Sequence, residues 1–235
     1  MIRNYKAFGL ALMAMVAFGA VMVQSASAVP LTVPSSLAKV FVTGDKTTEH
    51  VFSTPNGSVK CNTVDFHGSG AASSGAVNEL TIEPTYSNCT AFGFATAHVK
   101  VNGCTYTFTT PTLVKTGEVT WDPTLPEGKG QFHIICPAEK KIEITPTSFG
   151  VSVCTQFVEA QTPTGGHLVA RNSATISPMD IDLEATLKEI HYTGSKAGSV
   201  CGGPETNTNA EYNGSVTVTC FSNEARTVPV DCTIS

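Results

Sequence analysis

The stretch Val99–Phe108, VKVNGCTYTF, predicts a β-hairpin that turns at Asn102-Gly103. Asn-Gly is a strong hairpin signal, because both central residues of a type I′ turn need positive φ. A two-residue loop would pair Val101 with Cys104, Val99 with Tyr106 and Ala97 with Phe108, and paired residues share a face. This face is apolar, whereas the other carries His98, Lys100, Thr105 and Thr107. Cys104 is therefore expected in the core, where a thiol is a poor nucleophile and a disulfide is favoured.

The rest of the chain also predicts antiparallel β structure. Asn56-Gly57 and Asn213-Gly214 again lie between strand-like runs, and many runs alternate apolar and polar residues. A bulge near Lys188 is expected, because Ile181 to Leu187 and Ile190 to Tyr192 differ in parity. No window predicts a helix longer than two turns. Long loops are expected at 68–78, 161–178 and 195–213, with a short strand at 167–170. The predicted strands are 39–43, 50–54, 58–63, 79–86, 96–101, 104–109, 117–121, 131–136, 141–145, 151–157, 179–187, 189–193, 215–221 and 227–234.

The N-terminal segment has the layout of a secretory signal peptide. Arg3 and Lys6 precede an uncharged apolar run, and Ala26-Ser27-Ala28 forms a cleavage site. We therefore predict a signal peptide at 1–28, a short linker at 29–37 and a β-sandwich domain at 38–235. A retained N-terminal anchor, and a division into two subdomains near 161–178, remain open alternatives. No later segment is apolar enough to span a bilayer.

Composition excludes some partners. The net charge is −5, and it becomes −7 on cleavage, because the signal segment contains two basic residues and no acidic one. Such a surface repels nucleic acid and anionic membranes. Charged residues are only 14% of the chain, and Thr, Ser and Gly take their place, as is common in exported β-rich proteins.

Eight cysteines, all beyond the predicted cleavage site, predict a disulfide framework. Cys136 shares a face with Phe132 and Ile134, so an antiparallel neighbour at 104–109 would bring Cys104 to Cys136. Pairing around Asn56-Gly57 sets Phe52 opposite Cys61. The other expected bonds are Cys61–Cys89, Cys154–Cys201 and Cys220–Cys232, although spacing alone does not fix the pairing. The last bond requires a wide loop, because bonded Cα atoms lie within about 7 Å.

The sequence carries no recognisable catalytic or metal-binding motif. The cysteines lack zinc spacing, and the six histidines are scattered. Serine-hydrolase and nucleotide-binding motifs are absent. Asp180, Asp182 and Glu184 share a strand face, which we interpret as solvated rather than as a calcium site, since one strand alone cannot chelate calcium. We expect Trp121 to pack at a strand end rather than form a carbohydrate platform. No cofactor is predicted.

Several segments together resemble a known group of proteins. They are EHVFSTPNGSVKCNT (49–63), ELTIEPTYSNCTAFGF (79–94), VNGCTYTF (101–108), CPAEKKIEIT (136–145) and SPMDIDLEATLKEIHYTG (177–194). With the signal peptide, they are similar to a large family of secreted, cysteine-containing, β-rich proteins from soil bacteria. The resemblance implies export but brings no activity and no site residues. Cys220 and Cys232 look additional to the family pattern, which supports pairing them.

These observations predict an all-β, antiparallel, disulfide-stapled sandwich of the immunoglobulin-like or Greek-key type. The expected function is that of an exported, non-enzymatic binding or structural module, extracellular or at the cell surface, with a cell-wall, glycan or protein partner. A secreted hydrolase acting on an extracellular glycan, and an inhibitor or defence-type protein, are the alternatives.

Overall fold

The computed structural model describes residues 30–109, 111–122, 130–173, 180–196 and 199–234, so the predicted signal peptide lies outside it. These residues contain nineteen strands and no helix, and therefore no helix long and apolar enough to cross a membrane. The strands are β1 (Leu31–Thr32), β2 (Lys39–Lys46), β3 (His50–Thr54), β4 (Gly57–Ser73), β5 (Ala76–Val77), β6 (Glu79–Ala91), β7 (Ala95–Lys100), β8 (Thr105–Thr109), β9 (Thr112–Lys115), β10 (Glu118–Trp121), β11 (Phe132–Ile135), β12 (Ile142–Ser148), β13 (Val151–Ser152), β14 (Gln156–Val158), β15 (Gly165–Asn172), β16 (Ile181–Gly194), β17 (Asn207–Phe221), β18 (Pro229–Val230) and β19 (Thr233–Ile234).

All strand pairings among the described residues are antiparallel, which confirms the predicted fold class. The pairings also close a circuit, in the order β3, β4, β6, β7, β12, β14, β16, β17 and back to β3. The opposing apolar layers expected of a sandwich therefore belong to one continuous sheet that is closed on itself. Closure satisfies the backbone groups that an edge strand would expose.

Several strands lie end to end along one longer neighbour. β2 and β3 follow each other between β4 and β17, and β7 and β8 follow each other along β6. The described residues contain no backbone ladder that joins the pair β8 and β11 to the strands β9, β10 and β15. We call this gap in the sheet the seam. The indole N–H of Trp121 donates to the Thr109 carbonyl across this seam. Gln161 spans its other part, pairing with Ile134 through its backbone and with the His191 backbone through its side chain.

Alternating burial along the long strands places the core inside the closed sheet. Val216, Val218 and Cys220 of β17 are buried, as their parity predicts. The expected bulge in β16 is confirmed, because the register to β17 shifts between Leu187 and Ile190, and Glu189 has a φ of 56°. Parity therefore identifies the inward residues on both sides of the bulge.

The predicted Val99–Phe108 hairpin is wrong in its pairing, although its turn is present. Asn102 and Gly103 have φ values of 55° and 80°, and the Cys104 N–H donates to the Val101 carbonyl. The flanking strands do not pair with each other, and both run antiparallel to β6. On its other side, β7 pairs with β12, and β8 pairs with β11. Long-range partners thus determine the pairing, whereas the local signal determines only the turn.

Two further Asn-Gly predictions need correction. The first hairpin turns at Pro55-Asn56, so Thr54 pairs with Gly57, and His50 rather than Phe52 lies opposite Cys61. Proline suits the first central position of a turn because its φ is already fixed near −65°. Asn213-Gly214 forms no turn at all and lies inside the continuous strand β17.

The expected loop at 68–78 is mostly strand. β4 runs on to Ser73, where glycines permit the close approach of neighbouring strands. A Cβ on Gly68 would lie 2.6 Å from the Thr81 carbonyl oxygen, and a Cβ on Gly70 would lie 2.6 Å from that of Glu79. Strand structure also occupies part of the predicted linker, where β1 pairs with β5 and β19. The segment 161–178 contributes β15, longer than the predicted 167–170, to the same sheet.

The four disulfides are Cys61–Cys89, Cys104–Cys136, Cys154–Cys201 and Cys220–Cys232, the pairs that the sequence predicts. Cys61 and Cys89 are direct partners across β4 and β6. The predicted wide loop precedes Cys232, since Phe221 pairs with Pro229 and leaves residues 222–228 to form the loop. Four disulfides are typical of proteins that mature in an oxidising compartment.

Candidate functional site

The closed sheet surrounds a central cavity of about 80 Å³. Its wall is mainly apolar and comes from strands all around the circuit, including side chains such as Val59, Val99, Ile144 and Leu187. A second cavity, also of about 80 Å³, lies towards Trp121 and the seam. We call it the seam cavity. The two cavities share five lining residues and therefore adjoin: Phe66, Tyr106, Phe108, Leu183 and Val216.

Four polar side chains in the wall of the central cavity form a continuous hydrogen-bonded chain. His50 Nδ1 lies 2.5 Å from the Tyr212 hydroxyl, which lies 3.2 Å from that of Tyr86. The Tyr86 hydroxyl lies 2.9 Å from that of Tyr106. At the other end, His50 Nε2 lies 3.3 Å from the Ser215 carbonyl oxygen. We call these four side chains the His–Tyr chain.

Each member comes from a different strand, and strand parity turns it inward. His50 begins β3, Tyr86 lies on β6, Tyr106 on β8 and Tyr212 on β17. The Cys61–Cys89 disulfide joins β4 to β6 beside this group, since Cys61 is the cross-strand partner of His50. Residues far apart in sequence are thereby held in one hydrogen-bonded set.

Gly214 and Phe66 shape the space around the histidine. A Cβ on Gly214 would lie 2.5 Å from His50 Nδ1, so the imidazole rests against bare backbone. Phe66 makes edge contacts with His50, Tyr86 and Tyr106, with ring centroids 5.5, 6.0 and 6.3 Å apart. The glycine that resembles a turn signal in sequence is therefore required for the histidine to fit.

Burial shifts the pKa of every member of the chain towards the neutral form. It lowers the pKa of His50 to about 4, partly opposed by the hydrogen bond to Ser215, and Lys46 lowers it further. Burial raises the pKa of Tyr106 to about 12, and it raises those of Tyr86 and Tyr212 well above the usual value. All four groups are neutral near pH 7, because desolvation penalises the charged form of each.

Gln156 is a second buried polar group inside the sheet. It is 1% exposed and shares its inward face with Val158 of the cavity wall. Neither side-chain amide atom has a hydrogen-bond partner among the described residues. A buried amide without partners costs stability.

The sequence-predicted candidates lie elsewhere. Asp182 and Glu184 are exposed and bind Thr217 and Arg171, whereas Asp180 is buried at the start of β16. His133 bonds Thr162. Trp121 packs against Phe108, with centroids 5.6 Å apart. In the described part of the chain, no three His, Cys, Asp or Glu side chains gather as a metal site would require.

The sequence predicts that Tyr106 lies on an inward face, but it does not predict its three partners. The inward parity of His50 was available, because it shares a face with Phe52 at the start of a strand. No spacing in the sequence relates His50, Tyr86 and Tyr212 to one another. Their meeting depends on the circuit of strands, which local patterns do not encode.

Two adjacent turns form an exposed apolar tip on the surface. Thr96 pairs with Thr147, so the turns beyond them bring Phe94 and Phe149 to one end of the molecule. These residues are 77% and 104% exposed, and the segments 91–97 and 144–158 contain no charged residue. Exposed apolar clusters mark interaction surfaces in many proteins.

No protein-family model matches the chain, and no curated protein or solved structure is significantly similar to it. The candidate site therefore stands on its own geometry.

Proposed function

We propose that the chain is an exported, non-enzymatic binding module, extracellular or at the cell surface, that holds a small and mainly apolar molecule inside its closed sheet. The observation that carries the proposal is an apolar central cavity whose wall contains one continuous chain of polar groups. Ligand sites typically combine apolar walls with a few placed polar groups.

The cavity volume limits the ligand. A cavity of about 150 Å³ holds benzene, so the central cavity alone, at about 80 Å³, is too small for a six-membered ring. Together with the adjoining seam cavity, which has the same volume, it accommodates a ring of about six or seven non-hydrogen atoms. A glycan chain does not fit. A small cyclic or branched apolar molecule does.

Export is supported by the four disulfides and by the signal-peptide layout of residues 1–28. The resemblance to secreted proteins of soil bacteria belongs to the same proposal. The apolar tip at Phe94 and Phe149 is the described surface that we assign to a cell-wall or extracellular partner.

Binding is favoured over glycan hydrolysis. A glycosidase needs two carboxyl groups facing one cleft, and the central cavity is lined by no Asp or Glu among the described residues. The neutral His–Tyr chain also offers no acid and nucleophile pair.

The inhibitor role is a second candidate, supported by the loop 222–228. The Cys220–Cys232 disulfide spans this loop, and the Asn223 side chain accepts hydrogen bonds from the Thr227 and Val228 N–H groups. A rigid loop held by a disulfide is typical of inhibitors. Incubation with a panel of secreted proteases tests it, and cleavage or indifference without inhibition would remove it.

Calorimetric titration with toluene tests the binding proposal. We expect saturable binding to the intact protein and its loss in Ala185→Leu, because Ala185 lines the central cavity and the larger side chain fills it. Ala38→Leu, at an exposed position, is the matched control and should bind as the wild type does. Equal binding by both variants would place toluene elsewhere and overturn the proposal.

A further inference from the structure

We propose that the interior site selects molecules that carry a hydroxyl or N–H donor over molecules of the same size that can only accept a hydrogen bond. The acceptor is the Tyr106 hydroxyl oxygen, at the end of the His–Tyr chain. This inference rests on the proposed interior binding function and names the ligand class of that site.

The direction in which the hydrogen bonds of the His–Tyr chain donate follows from the end at the Ser215 carbonyl. The Ser215 carbonyl can only accept, so His50 Nε2 carries the proton in that contact. A neutral imidazole then has Nδ1 as an acceptor, and the Tyr212 hydroxyl donates to it. The imidazole is neutral near pH 7 because burial lowers its pKa.

Each further step has one solution, because a phenol has a single proton. Tyr212 uses its proton on His50, so Tyr86 donates to Tyr212. Tyr86 has then used its own proton, so Tyr106 donates to Tyr86. The Tyr106 oxygen keeps acceptor capacity and receives no hydrogen bond from any residue that the structure describes.

The position of Tyr106 makes this acceptor useful to a ligand. Its side chain lines both the central cavity and the seam cavity. Its ring lies between Phe66 and Phe132, with centroids 6.3 and 5.3 Å away. The chain therefore ends in an apolar junction, where a carbonyl or ether ligand would meet a lone pair rather than a proton.

The test compares three ring molecules of similar size by calorimetric titration of the intact, oxidised protein. Cyclohexanol donates and accepts, cyclohexanone only accepts, and methylcyclohexane does neither. We expect cyclohexanol to bind about tenfold more tightly than cyclohexanone, since one unsatisfied buried polar group costs about this much in affinity.

Two variants check the mechanism. Tyr106→Phe removes the acceptor and should bring cyclohexanol down towards methylcyclohexane. Tyr86→Phe leaves the Tyr106 proton without its acceptor, so Tyr106 can donate, and cyclohexanone should then bind about as well as cyclohexanol. A simple loss of packing would weaken all three molecules together in both variants.

The outcomes separate this inference from the proposed function. Equal binding of all three molecules to the wild type overturns donor selection and leaves interior binding intact. A preference for cyclohexanone means that the hydrogen bonds of the His–Tyr chain donate in the opposite direction, and it also overturns the inference. If none of the three binds, both proposals fail.

Discussion

At the scale of single residues, two buried polar side chains differ in whether they have hydrogen-bond partners. His50 is 3% exposed, yet its two ring nitrogens reach Tyr212 and the Ser215 carbonyl. Gln156 is 1% exposed and its amide has no partner among the described residues. A buried polar group is tolerated when it is paired and destabilising when it is not.

His50 makes stability depend on pH. Its pKa is about 4 in the folded protein and 6.5 ordinarily, so the unfolded chain binds a proton first as the pH falls. The free energy of unfolding should therefore decrease between about pH 6.5 and 4, by up to about 3 kcal/mol from this group. Urea unfolding of wild type and His50→Gln across this range measures the difference, and identical pH slopes would contradict the assignment.

Gln156→Met should stabilise the protein by about 1–3 kcal/mol, because it replaces an unpaired buried amide with an apolar side chain of similar shape. Gln161→Met is the matched control and should destabilise, since the Gln161 amide accepts from the His191 N–H and donates to its carbonyl. Chemical denaturation of both variants tests whether the first is more stable and the second less stable than the wild type. A loss of stability in Gln156→Met would show that its amide has a partner.

At the scale of elements, close strand packing rather than turn geometry explains the glycines of β4. A Cβ on Gly68 would approach the Thr81 carbonyl oxygen to 2.6 Å and Val42 Cγ2 to 2.9 Å. The missing side chain therefore lets β4 and β6 approach each other. Substitution of a glycine in a flexible loop would instead stabilise the protein.

Gly68→Ala should destabilise by about 1–3 kcal/mol, because the added methyl group meets backbone that cannot rotate away. A loop glycine would instead gain about 0.4–1 kcal/mol from the reduced entropy of the unfolded chain. Ser69→Ala, one residue further on the outward face, is the control and should change little. Thermal unfolding of the three proteins distinguishes the two interpretations.

What the sequence could predict follows from the range of its signals. Period-two alternation identified the strands, the inward side of Cys104 and the β16 bulge, because side-chain parity is local. It did not identify the partners of β7 and β8, since pairing depends on packing between distant segments. Glycine was ambiguous in the same way: Gly214 resembles a turn residue, yet its function is to leave room for His50. The His–Tyr chain required all of these pairings at once and was out of reach.

At the scale of the whole molecule, the disulfides differ in access to solvent. Cys136 is only partly buried, whereas the cysteines of the other three disulfides are between 0% and 5% exposed. Thiol attack on a disulfide requires access to one of its sulfur atoms. The Cys104–Cys136 bond is therefore the accessible one in the native protein.

Mild reduction of the native protein should open Cys104–Cys136 first and leave the other three bonds intact until the sheet opens. Timed alkylation followed by peptide mass spectrometry gives the order directly. Simultaneous loss of all four bonds would mean that global unfolding precedes every reduction step.

The closure of the sheet also constrains the order in which the protein folds. β17 completes the circuit by pairing with β2 and β3, and its Tyr212 lies 162 positions after its partner His50. Until β17 is available, β16 on one side and β2 and β3 on the other each lack one neighbour. The chain therefore cannot complete its native interior until β17 has been synthesised, and contacts of such long range form slowly.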